Sequence, residues 1–167
     1  MPSNTFTLIA SSTVGAGGVA SVTFGSIAST YTDLVLKASV RGTQSAVNQS
    51  YRVTFNGSST TGLTMRRVYG DGSAAASDTT INLEGVGSTA TASTFSNDEI
   101  YIPNYAGSTN KSFSVDNVGE TNATTAYALM QAGLRSNTDA ITSIVLTAIN
   151  QSFSQYSTFY LYGVKNA

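Results

Sequence analysis

Hydrophobic and polar residues alternate with a period of two along most of this chain, the spacing of strands rather than helices. In "TDLVLKASVRG", Leu34, Leu36, Ala38 and Val40 fall on one face, with Asp33, Lys37, Ser39 and Arg41 mostly on the other. One face is expected in the core and the other in water. "YRVTFNG" repeats the pattern through Tyr51, Val53 and Phe55, with Arg52 and Thr54 outward and Asn56-Gly57 as a turn. From Glu99 to Glu120, Ile100 and Ile102 alternate, a cluster of Pro, Asn, Gly and Ser follows, and Phe113 and Val115 alternate again. That is how two half-buried strands joined by a loop are written.

Near the start, Phe6, Leu8 and Ala10 alternate with Thr5, Thr7 and Ile9, "VGAGG" interrupts, and Val22 and Phe24 resume the alternation, which predicts a hairpin. Between Ser58 and Ser96 Gly and small polar residues break the pattern, so long irregular connections are expected there, with one short helical turn or strand around Leu63 to Val68. "AYALMQAGLR" suits either a helix or a buried strand, and its neighbours favour a strand. "AITSIVLTAI" and "STFYLYGVK" complete the set.

The sum is about eight or nine strands with no alternating helical segments. The expected fold is all-β: one antiparallel β-sandwich, jelly-roll-like, spanning 1–167, with irregular loops within 58–96. Residues 1–5 read either as an N-terminal arm or as the start of the first strand.

Composition strengthens this reading. Only 10% of the 167 residues are charged, against roughly 25% in an average soluble domain, and the strand and turn formers Ser, Thr, Gly and Asn take their place. A net charge of −1 offers no clustered basic face for phosphates, so no nucleic-acid partner is expected. No apolar stretch approaches the length of a membrane span, and the N-terminal residues lack the charged and apolar regions of a secretory signal, so synthesis in a cytoplasm is expected. Without Cys the fold must stand on packing and strand pairing.

With neither His nor Cys, the chain lacks the commonest general base, the commonest metal ligand and the strongest nucleophile. Glycoside hydrolysis needs only two carboxylates, but Asp98 and Glu99 point to opposite faces of an extended strand, and the nine acids read as solvated turn and rim residues. "GAGG" precedes a strand and is a turn; "GVGST" lacks the lysine of a phosphate loop. "GDGS" offers Asp71 and Asp78 to a hard cation, which is thin ligation. No cofactor or metal is expected. Arg66 and Arg67, followed by Val68 and Tyr69, read either as a contact patch or as a solvent-facing turn. Tyr101, Tyr105, Tyr127, Tyr156, Tyr160 and Tyr162 read either as stacking surfaces for sugars or, in part, as core.

Three segments, "TYTDLVLKASVRG", "EIYIPNYAGSTNKSFSVDNVGETNATTAYALMQAGLRSNTDAITSIVLTAI" and "QYSTFYLYGVKNA", resemble a family of small β-sandwich virion structural proteins of tailed bacteriophages, many of them marine or cyanobacterial. The resemblance implies a non-enzymatic component of the virion. A capsid decoration (cement) protein on the head surface is the first expectation, with a receptor-binding, carbohydrate-binding module of a tail or head fibre as the alternative. Implied partners are the major capsid protein and further copies of the chain, for instance as a trimer on a lattice three-fold axis. It also implies that Ile102, Pro103, Asn104 and Tyr105 form the end of a strand and its turn. The chain departs from the family strings in "TTGLTMRRVYGDGSAAASDTT", where partner specificity is expected. Arg66, Arg67, Tyr69 and Tyr105 are the candidate partner-binding residues.

Overall fold

The computed structural model describes residues 5–121 and 126–165. Twelve strands and no helix occur among them: β1 (Phe6–Thr13), β2 (Ser21–Phe24), β3 (Asp33–Ser39), β4 (Asn48–Phe55), β5 (Leu63–Gly70), β6 (Ala75–Asp78), β7 (Leu83–Val86), β8 (Asn97–Ile102), β9 (Lys111–Gly119), β10 (Tyr127–Arg135), β11 (Ile144–Ala148) and β12 (Thr158–Val164). Eight pair in the order β1-β12-β3-β8-β9-β10-β5-β6 and four in the order β2-β11-β4-β7.

All ten strand pairings are antiparallel. Four of them, β1 with β12, β2 with β11, β3 with β8 and β4 with β7, describe one long ribbon folded back on itself. Rolling that ribbon brings β12 beside β3 and β11 beside β4, which closes a two-sheet jelly roll. The remaining strands arrive in two excursions, β5-β6 between β4 and β7, and β9-β10 between β8 and β11. They pair with each other and extend the larger sheet beyond β8.

The inward residues interdigitate as the alternation predicts. Leu34, Leu36, Ile100, Ile102, Phe159 and Leu161 of the large sheet and Val22, Tyr51, Val53, Ile144 and Leu146 of the small one are all buried. Edge-to-face rings run through the centre, with Phe153 5.8 Å from Tyr51 and 5.1 Å from Phe159. Phe55 of β4 meets Phe113 of β9 at 5.2 Å, which ties the second excursion to the small sheet.

The fold is the expected class, with more strands than expected. The excess lies within 58–96, where the strand alternative for Leu63 to Val68 holds as β5, and β6 and β7 stand where irregular connections were expected. β6 and β7 are four residues each, too short to show a periodicity, and their pairing is set by partners distant in sequence. The first two strands do not form a hairpin. The Gly15–Gly18 turn carries the chain from one sheet to the other, so β1 pairs with β12 and β2 with β11. β1 is an edge strand with a register shift between Leu8 and Ala10, and Phe6 and Leu8 stay exposed while Ile9 and Ala10 pack against the core. The Thr5 carbonyl accepts the Lys165 N–H at 3.0 Å, so residue 5 continues this edge. Residues 1–4, the rest of the expected arm, lie outside the described residues.

Two positions expected in water are buried. Thr54 donates its hydroxyl to the Gly57 carbonyl at 2.7 Å. Asp33 accepts the Tyr101 hydroxyl at 2.8 Å and the Asn104 N–H at 2.9 Å, and Val35, flanked across the strands by Tyr101 and Tyr162, is buried on the same outer face.

Candidate functional site

β10 is amphipathic in the wrong direction. Its inward positions include Gln131 and Arg135, 4% and 7% exposed, while outward Met130 and Leu134 are 68% and 37% exposed. An antiparallel strand at a water-facing sheet surface normally turns its apolar side inward. Here Leu129 is also turned inward, but around it that side is fastened by polar groups.

The fastening is a chain of charges and amides between the inserted strands and β7. Arg67 of β5 grips Asp78 of β6 with two hydrogen bonds of 2.9 Å and reaches Glu84 of β7 at 3.3 Å, with its guanidinium 4.8 Å from the centre of the Tyr69 ring. Ser50 donates to Glu84 at 3.1 Å. Asn117 of β9 brackets the Glu84 backbone, accepting its N–H at 3.1 Å and donating to its carbonyl at 2.8 Å, and also donates to Asp98. Gln131 donates to the Asn82 carbonyl at 2.9 Å.

Burial opposes the Arg67 charge, but the bonds and charges of Asp78 and Glu84 outweigh it and raise its pKa. Its bond to Arg67 draws the more exposed Asp78 below the usual carboxylate range. Burial pushes the deeper Glu84 above that range despite its bonds to Ser50 and Arg67.

The outer side of the same strands is a shallow depression of about 730 Å³. Strand register builds it: Met130 lies between Val68 of β5 and Asp116 of β9, and Ala132 between Arg66 and Ser114. Ser77 of β6 stands beyond Val68. Ala128, Val118 and Leu134 continue the apolar surface along the strands. Arg66 and Asp116 are the charged residues among these outward strand positions. The Arg66 guanidinium makes one hydrogen bond, to the Met65 carbonyl at 3.0 Å, and the Asp116 carboxylate makes neither hydrogen bond nor ion pair among the described residues.

Of the four candidate partner-binding residues, Arg66 alone belongs to this face. It stands on a strand, not on a solvent-facing turn. Arg67 is consumed by its two acids, and Tyr69, on the inner side, packs edge-to-face on Tyr127 at 5.9 Å. Tyr105 is wholly buried, its hydroxyl donating to the Ala28 carbonyl and accepting the Tyr31 N–H at 3.4 Å, so it cannot touch a partner in the folded chain. Of the remaining tyrosines, Tyr101, Tyr156 and Tyr160 are exposed. Met130 and Asp116 are members that sequence reading missed, and Val68 was noted only as a neighbour of the arginine pair. Their signal was faint: "AYALMQAGLR" carries apolar side chains in both registers, so its outward set could not be told from its inward one.

The acids are less uniform than rim residues. Asp98 is buried, accepting the Ser96 hydroxyl at 2.7 Å, and burial pushes its carboxyl up to about 8. Its neighbour Glu99 points the other way, to an ion pair with Lys37 at 2.7 Å. Asp71 spends its carboxylate on the N–H groups of Ser73 and Ala74 at 2.9 and 2.8 Å, closing the β5-β6 turn. Among the described residues no group of three or more acids stands close enough together to hold a metal ion. Comparison of the chain with protein-family models, with curated proteins and with solved structures finds no match.

Proposed function

We propose that the chain is a non-enzymatic structural protein of a phage virion, a decoration protein that binds the major capsid protein on the assembled head and associates with copies of itself. The observation that carries the reading is the inverted β10, which gives the inserted sheet an outer surface of apolar side chains suited to being covered by protein. The three long segments that resemble phage virion proteins supply the identity of the assembly. A decoration protein of this kind acts by linkage: binding the assembled lattice and not its precursor, it stabilises the assembled state in proportion to that difference in affinity.

The test is the protein's copy number and position on purified particles, by quantitative gel densitometry and electron microscopy of particles labelled through this chain. Label distributed over the head at a fixed ratio to the capsid subunit is expected. A few copies confined to the tail would replace this reading with that of a fibre module.

A further inference from the structure

We propose that the outer face of β9-β10-β5-β6 is covered in solution by the same face of a second copy of this chain, across a two-fold axis running along β10. The inference deepens the preceding reading, because it rests on that face being an interface and names its occupant.

The first argument is the inversion itself. Gln131 and Arg135 occupy the buried side of β10, and Met130, Ala132 and Leu134 lie on its exposed side. Strand register sets Met130 between Val68 and Asp116, with Ser77 beyond Val68, and sets Ala132, on the same side of β10, beside Ser114.

Charge complementarity names the occupant. The face carries one cation, on β5, and one anion, on β9, the strands flanking β10 on either side. Neither has an ionic partner within the described residues. Rotation about an axis along β10 exchanges those flanks. It sets β5 of one copy over β9 of the other, and Met130 and Ala132 over their own equivalents. Arg66 is level with Ala132 and Asp116 with Met130, two residues along the strand, an offset of roughly 7 Å that an arginine side chain spans. Each rotation therefore makes two Arg66–Asp116 pairs, one at each rim, around an apolar centre. A patch complementary to itself closes as a two-fold dimer, whereas a three-fold ring needs two different patches.

Area agrees with a modest interface. β9, β10 and β5, about 4.8 Å apart and roughly 27–30 Å long, overlap their counterparts across this axis, and the four-residue β6 falls over β8 of the other copy. Together they cover on the order of 500 Å² per copy, so a dimer buries about 1,000 Å² in total, at the lower bound of specific association.

The experiment is sedimentation velocity on the full chain from micromolar to millimolar concentration, at low and high salt. The expected result is a concentration-dependent species of twice the 17.3 kDa chain mass, weakened by salt. Met130→Lys is expected to leave monomer throughout. Arg66→Asp and Asp116→Arg are each expected to weaken the dimer about tenfold, and the double reversal to restore most of that loss. Unfolding midpoints of the variants, which alter exposed positions only, show that each is folded. A monomer at every concentration, a trimer, or a double reversal weaker than either single one would overturn the proposal. A monomeric chain that still decorates heads, and loses them on Met130→Lys, would also overturn it and assign the face to the capsid lattice. A dimer that is absent from heads would leave this inference standing and remove the capsid reading.

Discussion

Met130 and Gln131 are neighbours in β10 with their expected environments exchanged, the thioether standing in solvent and the amide lying buried against the Asn82 carbonyl. Mutational costs should follow the environments and not the residue types. Met130→Thr is expected to leave monomer stability within about 0.5 kcal/mol, as exposed substitutions do. Gln131→Ala should cost about 1–2 kcal/mol, because it strips the part-buried Asn82 carbonyl of its donor and opens a void. Urea unfolding of both variants at a concentration where the chain is monomeric checks the contrast, and equal costs would contradict it.

Arg67 holds β5, β6 and β7 together, so its loss should exceed the loss of either acid. Arg67→Met leaves Glu84 buried without its cation and is expected to cost about 2–3 kcal/mol. Asp78→Asn, at the more exposed end of the clasp, should cost about 1 kcal/mol or less. The two changes share one network, so the double variant should be less destabilised than the sum of the singles. Urea midpoints of the three variants measure this, and strict additivity would show that the clasp does not act as a unit.

The jelly roll was legible because its strands alternate cleanly. Leu34, Leu36, Tyr51, Val53, Ile100 and Ile102 all lie in the core at the spacing their sequence shows. The inserted strands were legible only in part: β9 shows its alternation, and Leu63 to Val68 reads as either a helical turn or a strand. β6, like β7 of the small sheet, is too short to carry a period, and β5 finds its place by pairing with β10, far away along the chain. The hairpin expected at the N-terminus failed because alternation reveals a strand and not its partner. Tyr105 looked like a contact residue beside a turn, but its hydroxyl reaches back to the Ala28 carbonyl, a bond no local pattern announces. The outer face was obscured in the same way, since the pattern of β10 permits two registers and only the Gln131 and Arg135 bonds choose between them.

Gly133 of β10 sits opposite Phe113 of β9, and a Cβ on it would fall 2.2 Å from the phenyl ring. Its backbone is not in the left-handed region, so the constraint is the close approach alone. Gly133→Ala is expected to destabilise the fold by about 1–3 kcal/mol through overpacking. Phe113→Leu costs core volume by itself, but should relieve the clash. The pair should therefore be coupled in a double-mutant cycle of thermal or urea unfolding, and independent effects would place the ring elsewhere.

Asp98 makes stability depend on pH in the direction opposite to ordinary surface acids. Burial is the main cause of its raised pKa, and the bond from Ser96 opposes that shift without reversing it. The native state keeps this proton up to about pH 8, whereas the unfolded chain releases it near pH 4. Between those values the native state binds more protons than the unfolded one, so this group's contribution is full below about pH 4 and is lost as pH rises through 8. Glu84, also raised by burial, adds to the trend; Asp78, lowered by Arg67, acts oppositely and only in acid, below the range considered. Urea midpoints are therefore expected to fall from pH 5 to pH 8.5. Asp98→Asn keeps an oxygen to accept from Asn117 and carries no proton to lose, so it should flatten most of that slope. An Asp98→Asn profile as steep as the wild type would show that the carboxyl is already ionised in the folded chain.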